Sequence, residues 1–580
     1  MPLQQNCPNK PSISHALTKG AKELRILFTS LWALCACVGP ASAAVKGPLR
    51  APHGAVASES ALASQAGASL LKAGGNAIDA ACATALALGV TNPHSSGIGG
   101  GGFALVYIAK EKKTYALDFR ERAPSGIDPK MFFRDGKPDP KLSRQGGLAV
   151  AVPGEVLGLS ELVKRWGKLP FAKCVAPAEK LARGYPATSG AAGMFNDVFG
   201  KSAFLAKVYS NKPPIAAGMM LKRPGLASTL AAIRRSGPDA YYKGAIAREI
   251  VETVRAAGGV MTEQDLLNYK TSDRVPLVLT YRGRQVYSMP PSSSGGIVIA
   301  EALGILERKI PDPKAIGHNS SAYLHVLAEA LKHGFADRAR HMGDTDFVEV
   351  PVAHLLDPKY HATLAAKVGE TVLQKDQYGT PGANPDPPHD GGTTHLSVID
   401  GEGNAVALTS TVNLWFGASL VTAKSGVVLN NQMDDFAIKP GVENAFRLLG
   451  TEKNAVAPNK RPLSSMSPTL VIDDTGVRVA VGGAGGPTII SGTLQVLLNI
   501  VDFGMDAQEA SAAPRIHHQW MPETLAHEPE IVADVVQALA KRGHKLVERG
   551  HITKVNVVSR SEKGIEAAAE WRGEGEPAGY

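Results

Sequence analysis

The sequence predicts a mixed α/β (α+β) chain folded as a four-layer αββα sandwich, with two sheets inside and helices outside. Stretches with period-two alternation come in adjacent pairs, at 393–400 with 405–411, at 106–119 and at 468–481. Longer helical patterns flank them at 58–88, 155–165, 320–340 and 488–503. With 580 residues and 44% hydrophobic content, the chain can bury a large core in one or two packed units. Internal repeats, heptads and low-complexity tracts are absent.

Residues 1–43 read as a removable targeting segment. Lys19, Lys22 and Arg25 form a positive start, 26–38 a short apolar run, and Ala41-Ser-Ala43 a small-x-small cleavage site. That run is too short to span a bilayer comfortably. The expectation is export to the periplasm or the medium, a mature chain starting near Ala44, and no transmembrane span after removal. Leu34-Cys-Ala-Cys37 offers a competing lipoprotein-type site. The formal charge is +9, and the segment holds four basic residues against one acid. The remaining excess is scattered, with no basic run interleaved with aromatics, so no nucleic-acid partner is expected. Of five cysteines, Cys7, Cys35 and Cys37 fall in this segment. Cys82 lies in an alanine-rich pattern and is expected as a small buried apolar residue; whether it pairs with Cys174 stays open.

The pattern over 58–88 is a pair of small-residue helices broken at Gly74-Gly75, suited to close packing on a sheet. Gly97-Ile-Gly-Gly-Gly-Gly102 satisfies G-x-G-x-x-G, but it precedes a strand instead of following one and opening a helix. It is expected to be a glycine turn that lets backbone approach the functional site. Residues 377–392, with four prolines, can be neither helix nor central strand, and are expected to form an irregular exposed loop.

That loop stops at Thr393-Thr394, where a strand begins with Thr393, His395, Ser397 and Ile399 on one face and Thr394, Leu396, Val398 and Asp400 on the other. Taken alone, two threonines simply begin a strand. The second reading is chemical. If the Gly392 to Thr393 bond is cut, Thr393 carries a hydroxyl and a free α-amine whose ordinary pKa of about 7.7 to 8.0 suits a general base. Nucleophile and base then share one residue. After the turn Gly401-Glu-Gly-Asn404, the hairpin partner strand brings Thr411 and Asn413 back towards Thr393.

Further along come Asn430-Asn-Gln-Met-Asp-Asp-Phe436, Arg461-Pro-Leu-Ser-Ser-Met-Ser-Pro468 and Gly482-Gly-Ala-Gly-Gly-Pro487. The first half holds Asn92-Pro-His-Ser-Ser96 running into the glycines, Asp118-Phe-Arg-Glu121, Met261-Thr-Glu-Gln-Asp265 and Tyr287-Ser-Met-Pro-Pro-Ser-Ser-Ser-Gly-Gly296. This ordered set resembles the γ-glutamyltransferase (glutathione hydrolase) family of the N-terminal nucleophile hydrolase superfamily, over nearly everything after the first fifty residues. The resemblance implies the same four-layer fold. It also implies autoproteolysis into a large subunit, 44–392, and a small catalytic one, 393–580, that share one fold.

The resemblance assigns roles residue by residue. Thr393 matches the nucleophile and Thr411 the hydroxyl beside it. Arg120, Ser464 and Ser465 match the groups that hold the substrate α-carboxylate, while Asn413, Gln432 and Asp435 match the acceptors for its α-ammonium. Gly485 and Gly486 match the oxyanion hole. Each has a plainer reading: Arg120 paired with Glu121, Ser464-Ser465 capping a turn, and Gly485-Gly486 as a tight bend. The implied substrates are glutathione and other γ-glutamyl compounds, with water, amino acids or dipeptides as acceptors. No cofactor is implied. Two alternatives remain open, a β-lactam side-chain acylase on the same scaffold and an unprocessed periplasmic binding protein. Phe446 departs from the family pattern, which commonly has tyrosine in the loop 439–454 expected to close over the pocket.

Metal sites are not expected. Asp434 and Asp435, read as extended chain, face opposite ways. His517-His518 has no second pair at metal spacing and reads as packing. His395 is given no catalytic role, because the α-amine supplies the base.

Overall fold

Period-two alternation becomes two seven-stranded sheets stacked face to face. The computed structural model describes residues 47–199, 208, 209, 211, 214–379 and 392–580. Residues 1–43, read above as a targeting segment, and residues 380–391 of the proline-rich loop lie outside the described residues. Four strands frame the site: β1 (Gly101–Ile108), β2 (Lys113–Phe119), β3 (Gly392–Asp400) and β4 (Ala405–Asn413). The first sheet runs Ala578–Gly579, Gly54–Ser58, β3, β4, β1, β2, Ser272–Arg274. The second runs Leu49–Ala51, Gly564–Ala568, Lys554–Ser561, β5 (Gly476–Ala484), Thr469–Asp473, Arg284–Ser288, Leu277–Tyr281.

Each sheet therefore takes strands from both sides of residue 392. A cut at that point would leave two pieces that cannot part without tearing both ladders. Residues Pro48–Tyr580 accordingly form one unit.

Three apolar layers match the sandwich. Phe103, Leu105, Ile399, Ala407, Leu470, Ala480 and Val558 fill the space between the sheets. Helices α1 (Ala61–Lys72) and α2 (Ala77–Thr91) cover the first sheet, where Leu396 and Val398 join their core. The break between the two helices is fixed by Asn76, whose side chain caps α2 in a reciprocal box with Asp79. Helices α3 (Gly295–Lys309), α4 (Ser321–His341) and α5 (Thr488–Val501) cover the second sheet around Val479 and Val481. Cys82 and Cys174 are buried free thiols, so the open question of their pairing is answered by the small apolar reading.

The glycine run does what was expected of it. Strand β1 pairs with β4 directly, with Gly101 opposite Thr411. A Cβ on Gly100 would overlap the Thr411 carbonyl oxygen, so only glycine lets the two backbones approach this closely. We expect Gly100→Ala to lower stability by about 1 to 3 kcal/mol, the usual cost of overpacking a tight site, seen as a lower urea midpoint. Gly193→Ala, where nothing lies within 4 Å of the added carbon, should leave the midpoint unchanged or slightly higher.

Candidate active site

Strand register brings the two threonines together. In the β3–β4 hairpin Thr393 lies opposite Thr411 and Gly392 opposite Asn413, with a register shift between Gly392 and Thr393. Thr411 Oγ1 donates to the Gly392 carbonyl at 2.8 Å. Its one proton is thereby used, so in the 3.0 Å contact between the two hydroxyls Thr393 is the donor. The Asn413 N–H also donates to Thr411 Oγ1, at 2.8 Å. Thr411 thus polarises the carbonyl that precedes Thr393 while accepting the Thr393 proton. Gly392 differs from expectation. It is a buried residue of β3 and not part of an exposed loop, because a Cβ there would crowd the carbonyls of Leu414 and His94.

His395 shares the Thr393 face as expected, but both its nitrogens are used. Nε2 lies 3.0 Å from Ser397 Oγ, which donates to the Asn556 carbonyl, and Nδ1 lies 2.8 Å from Thr409 Oγ1. Burial holds its pKa down at about 3, so it is neutral.

Arg120 follows directly on β2 and is buried. The strand end is fixed by Asp118, which accepts the Arg120 N–H at 2.9 Å and lies 3.1 Å from the guanidinia of both Arg274 and Arg461. Through Arg461 the Asp118-Phe-Arg-Glu motif is tied to the Arg461-Pro-Leu-Ser-Ser motif. The Arg120 fork donates to Asp435 at 2.5 Å and to the Pro462 carbonyl at 3.3 Å, with Glu121 at 3.7 Å. Both the plain pairing and a stronger one are therefore present, and the two charges expected to serve substrate separately engage each other. Burial raises the Asp435 pKa, with Arg120 opposing, and pushes Glu121 up to about 7.

The Asp434-Asp435 step is a 3-10 turn, Gln432–Asp435, and not extended chain. The two carboxylates still diverge, Asp434 to Ser143 Oγ (2.6 Å) and the Ala445 N–H (2.9 Å), Asp435 to the site. Gln432 Nε2 donates to Asp435 Oδ2 at 2.7 Å, while Gln432 Oε1 is buried with no hydrogen-bond partner among the described residues. Asn413 sits at φ 78°, which asparagine tolerates. Its amide donates to the Asn431 carbonyl at 3.0 Å.

These groups surround one small cavity. Of the residues matched to the family, Arg120, Thr393, Thr411, Asn413, Gln432, Asp435, Ser464, Ser465 and Gly486 line it, and Gly485 stands one residue back. Ser464 keeps its plain role too, since its hydroxyl accepts the Met466 N–H at 3.0 Å. Gly485 (φ 136°) and Gly486 (φ 61°) need the left-handed region that glycine allows. They follow β5 directly and lie just before α5. Phe446 closes the other side. A Cβ on Gly486 would lie 2.6 Å from its ring. The loop is pinned by the Ala445 bond to Asp434 and by Gln519, which donates to the Phe446 carbonyl at 3.2 Å. Ring packing and backbone bonds thus hold this lid without a phenolic hydroxyl.

Sequence reasoning missed Arg338, a buried cavity-lining residue of α4. His517 and His518 are buried packing residues as expected, with Ser491, Gln519 and the Trp520 N–H as partners. A different cluster, His325, Glu329 and His544, has ligand atoms within 4.8 Å of one another. Most of its ligand atoms already have protein partners. His325 Nδ1 meets His544 Nε2 at 2.9 Å, and Glu329 accepts from Lys332 at 2.8 Å and from the Tyr378 hydroxyl. The Lys332 ammonium already neutralises the Glu329 carboxylate.

The sequence pattern described as Gamma-glutamyltranspeptidase matches residues 63–580. The chain is 43% identical over 510 residues to the glutathione hydrolase proenzyme of Escherichia coli (strain K12), covering 86% of this chain and 87% of that one. Among solved structures, a cephalosporin acylase from Bacillus halodurans superposes with a TM-score of 0.80 at 29% identity, covering 94% of this chain and 99% of the other. The γ-glutamyltranspeptidase of Helicobacter pylori gives 0.53 at 35% identity, with 58% and 95% covered. The lower score goes with the smaller share of this chain that is matched, since the identity is higher.

The clamp geometry predicts the effect of Arg120→Lys. Lysine keeps the charge but cannot hold Asp435 and the Pro462 carbonyl at once. KM for donors carrying an α-carboxylate should rise about tenfold or more, the scale of one charge-assisted hydrogen bond, with kcat less affected. Steady-state kinetics with an anilide donor read both.

Proposed function

The chain belongs to the γ-glutamyltranspeptidase family, and we propose that it is an exported γ-glutamyltransferase and glutathione hydrolase that matures by cutting itself before Thr393. The observation that carries the substrate assignment is the pairing of opposite charges beside the nucleophile. Arg120 and Asp435 lie 2.5 Å apart in one cavity with Thr393, and Gln432 Oε1 waits there without a donor. A γ-glutamyl group carries an α-carboxylate and an α-ammonium on one carbon. Such a head replaces the internal ion pair charge for charge, and its ammonium also satisfies the orphaned Gln432 oxygen, together with Asn413. Ser464 and Ser465 complete the carboxylate side.

Maturation follows from the hairpin. Thr393 Oγ1 attacks the Gly392 carbonyl carbon, the C–N bond breaks, and the hydroxyl proton ends on the freed α-amine. Thr411 stabilises the oxygen as it gains charge. Water then hydrolyses the ester, leaving a Gly392 carboxylate and a free Thr393. Residues 44–392 form the large subunit and 393–580 the small one. In turnover the α-amine takes the Thr393 proton, the hydroxyl attacks the γ-amide carbonyl, and the amine leaves with that proton. The Gly485 and Gly486 amides face the oxyanion; losing one such donor typically costs about 2.7 to 4 kcal/mol. The γ-glutamyl ester then passes to water or to the amine of an amino acid or dipeptide. Export rests on residues 1–43 alone.

The acylase reading keeps the same nucleophile but needs no ammonium site. A glutaryl group would leave Asp435 and Gln432 Oε1 buried without their cation, a loss of about 1 to 3 kcal/mol or more. Sites built around a polar partner reject analogues lacking it by large factors. We expect kcat/KM for a γ-glutamyl anilide to exceed that for the matching glutaryl anilide by at least a hundredfold, and Asp435→Asn to narrow the gap by lowering the first. Equal rates in the wild-type enzyme would transfer the assignment to the acylase.

A further inference from the structure

The cavity holds a second guanidinium that neither the family motifs nor the maturation chemistry uses. Arg338 stands in the last turn of α4 and is 4% exposed. A basic residue there would ordinarily reach out to solvent and the helix end. Instead its Nε donates to Ser294 Oγ at 3.0 Å, and that hydroxyl donates to the Ser464 carbonyl at 2.7 Å. The Ser294 N–H reaches the same carbonyl at 2.9 Å. The guanidinium is thereby fixed behind the Ser464-Ser465 turn and lines the same cavity as Thr393.

Among the described residues no carboxylate lies within ion-pairing distance of Arg338, and its two terminal nitrogens have no hydrogen-bond acceptor. The carboxylate that lines the cavity, Asp435, is held by Arg120. Burial lowers the Arg338 pKa to about 10, with Asp435 opposing, so the group is still charged at neutral pH. A buried guanidinium that opens onto a cavity without a counter-ion is a site for an anion.

We infer that Arg338 binds the α-carboxylate of the γ-glutamyl donor beside Ser464, as a second guanidinium that offers an unengaged charge while Arg120 is still paired with Asp435. This rests on the γ-glutamyl reading above. It gives the entering head a first hold, after which its ammonium competes for Asp435 and releases the Arg120 fork.

The test uses purified, self-cleaved enzyme and two anilides, γ-glutamyl and 4-aminobutanoyl, which share the amide and the ammonium and differ in the α-carboxylate. Arg338→Met should lower kcat/KM for the γ-glutamyl anilide by about tenfold or more, mainly through KM, with a much smaller fall for the 4-aminobutanoyl anilide. Arg338→Lys should recover part of the preference. An equal fall on both substrates would show a merely structural residue and overturn the inference, as would an unchanged preference. If Arg338→Met gives no folded protein, Arg338→Gln repeats the comparison under the same criteria. Failure of the underlying reading looks different, since it would appear in the wild-type enzyme as equal rates on γ-glutamyl and glutaryl anilides.

Discussion

The register of one hairpin sets everything else. Because Thr393 falls opposite Thr411, a single hydroxyl touches both the Thr393 hydroxyl, proposed as the nucleophile, and the Gly392 carbonyl, proposed as its first target. A slip of one residue would turn Thr411 to the opposite face of the sheet. Several features hold that register. Gly100, just before β1, lets the backbone lie against Thr411, and Gly392 fits between the Leu414 and His94 carbonyls. Below Thr393, neutral His395 ties β3 to β4 and, through Ser397, to the second sheet.

The second constraint is electrostatic. Buried Arg120 and Arg338 share one small cavity with the nearly buried Asp435, and Glu121 lies 3.7 Å from Arg120. Removing such charges from water is costly unless each finds a partner. Arg120 and Asp435 find each other, and Gln432 bonds to Asp435 with one end of its amide while the other end is unpaired among the described residues. The arrangement leaves one buried acceptor unpaired, and on the proposed reading a zwitterionic head completes it where a simple acyl group does not.

Much of this was legible in the chain. Period-two and helical patterns marked the strand pairs and the flanking helices, and adjacent motifs such as Thr393-Thr394 or Gly485-Gly486 carry their own geometry. Other features depend on residues far apart in sequence. Arg120 and Asp435 are 315 positions apart, so their mutual pairing leaves no local trace. Arg338 sits where a helix normally ends in solvent, and only the Ser294 turn, 44 residues earlier, draws it inwards. The proline-rich stretch suggested that Gly392 belonged to a loop, yet sheet pairing claims it for β3 because the chain is continuous there. Asp434-Asp435 looked extended because a four-residue 3-10 turn has no periodicity to detect.

The central claim is that Thr393, placed by this hairpin, severs its own chain. Purified wild-type protein and Thr393→Ala, compared on a denaturing gel with N-terminal sequencing of any small fragment, test it most directly. The account predicts a wild-type small subunit beginning Thr393-Thr-His-Leu, and a Thr393→Ala protein that stays one inactive chain, since attack on the Gly392 carbonyl needs that hydroxyl. A Thr393→Ala chain that still parts after Gly392 would contradict it, and would assign the cut to another agent.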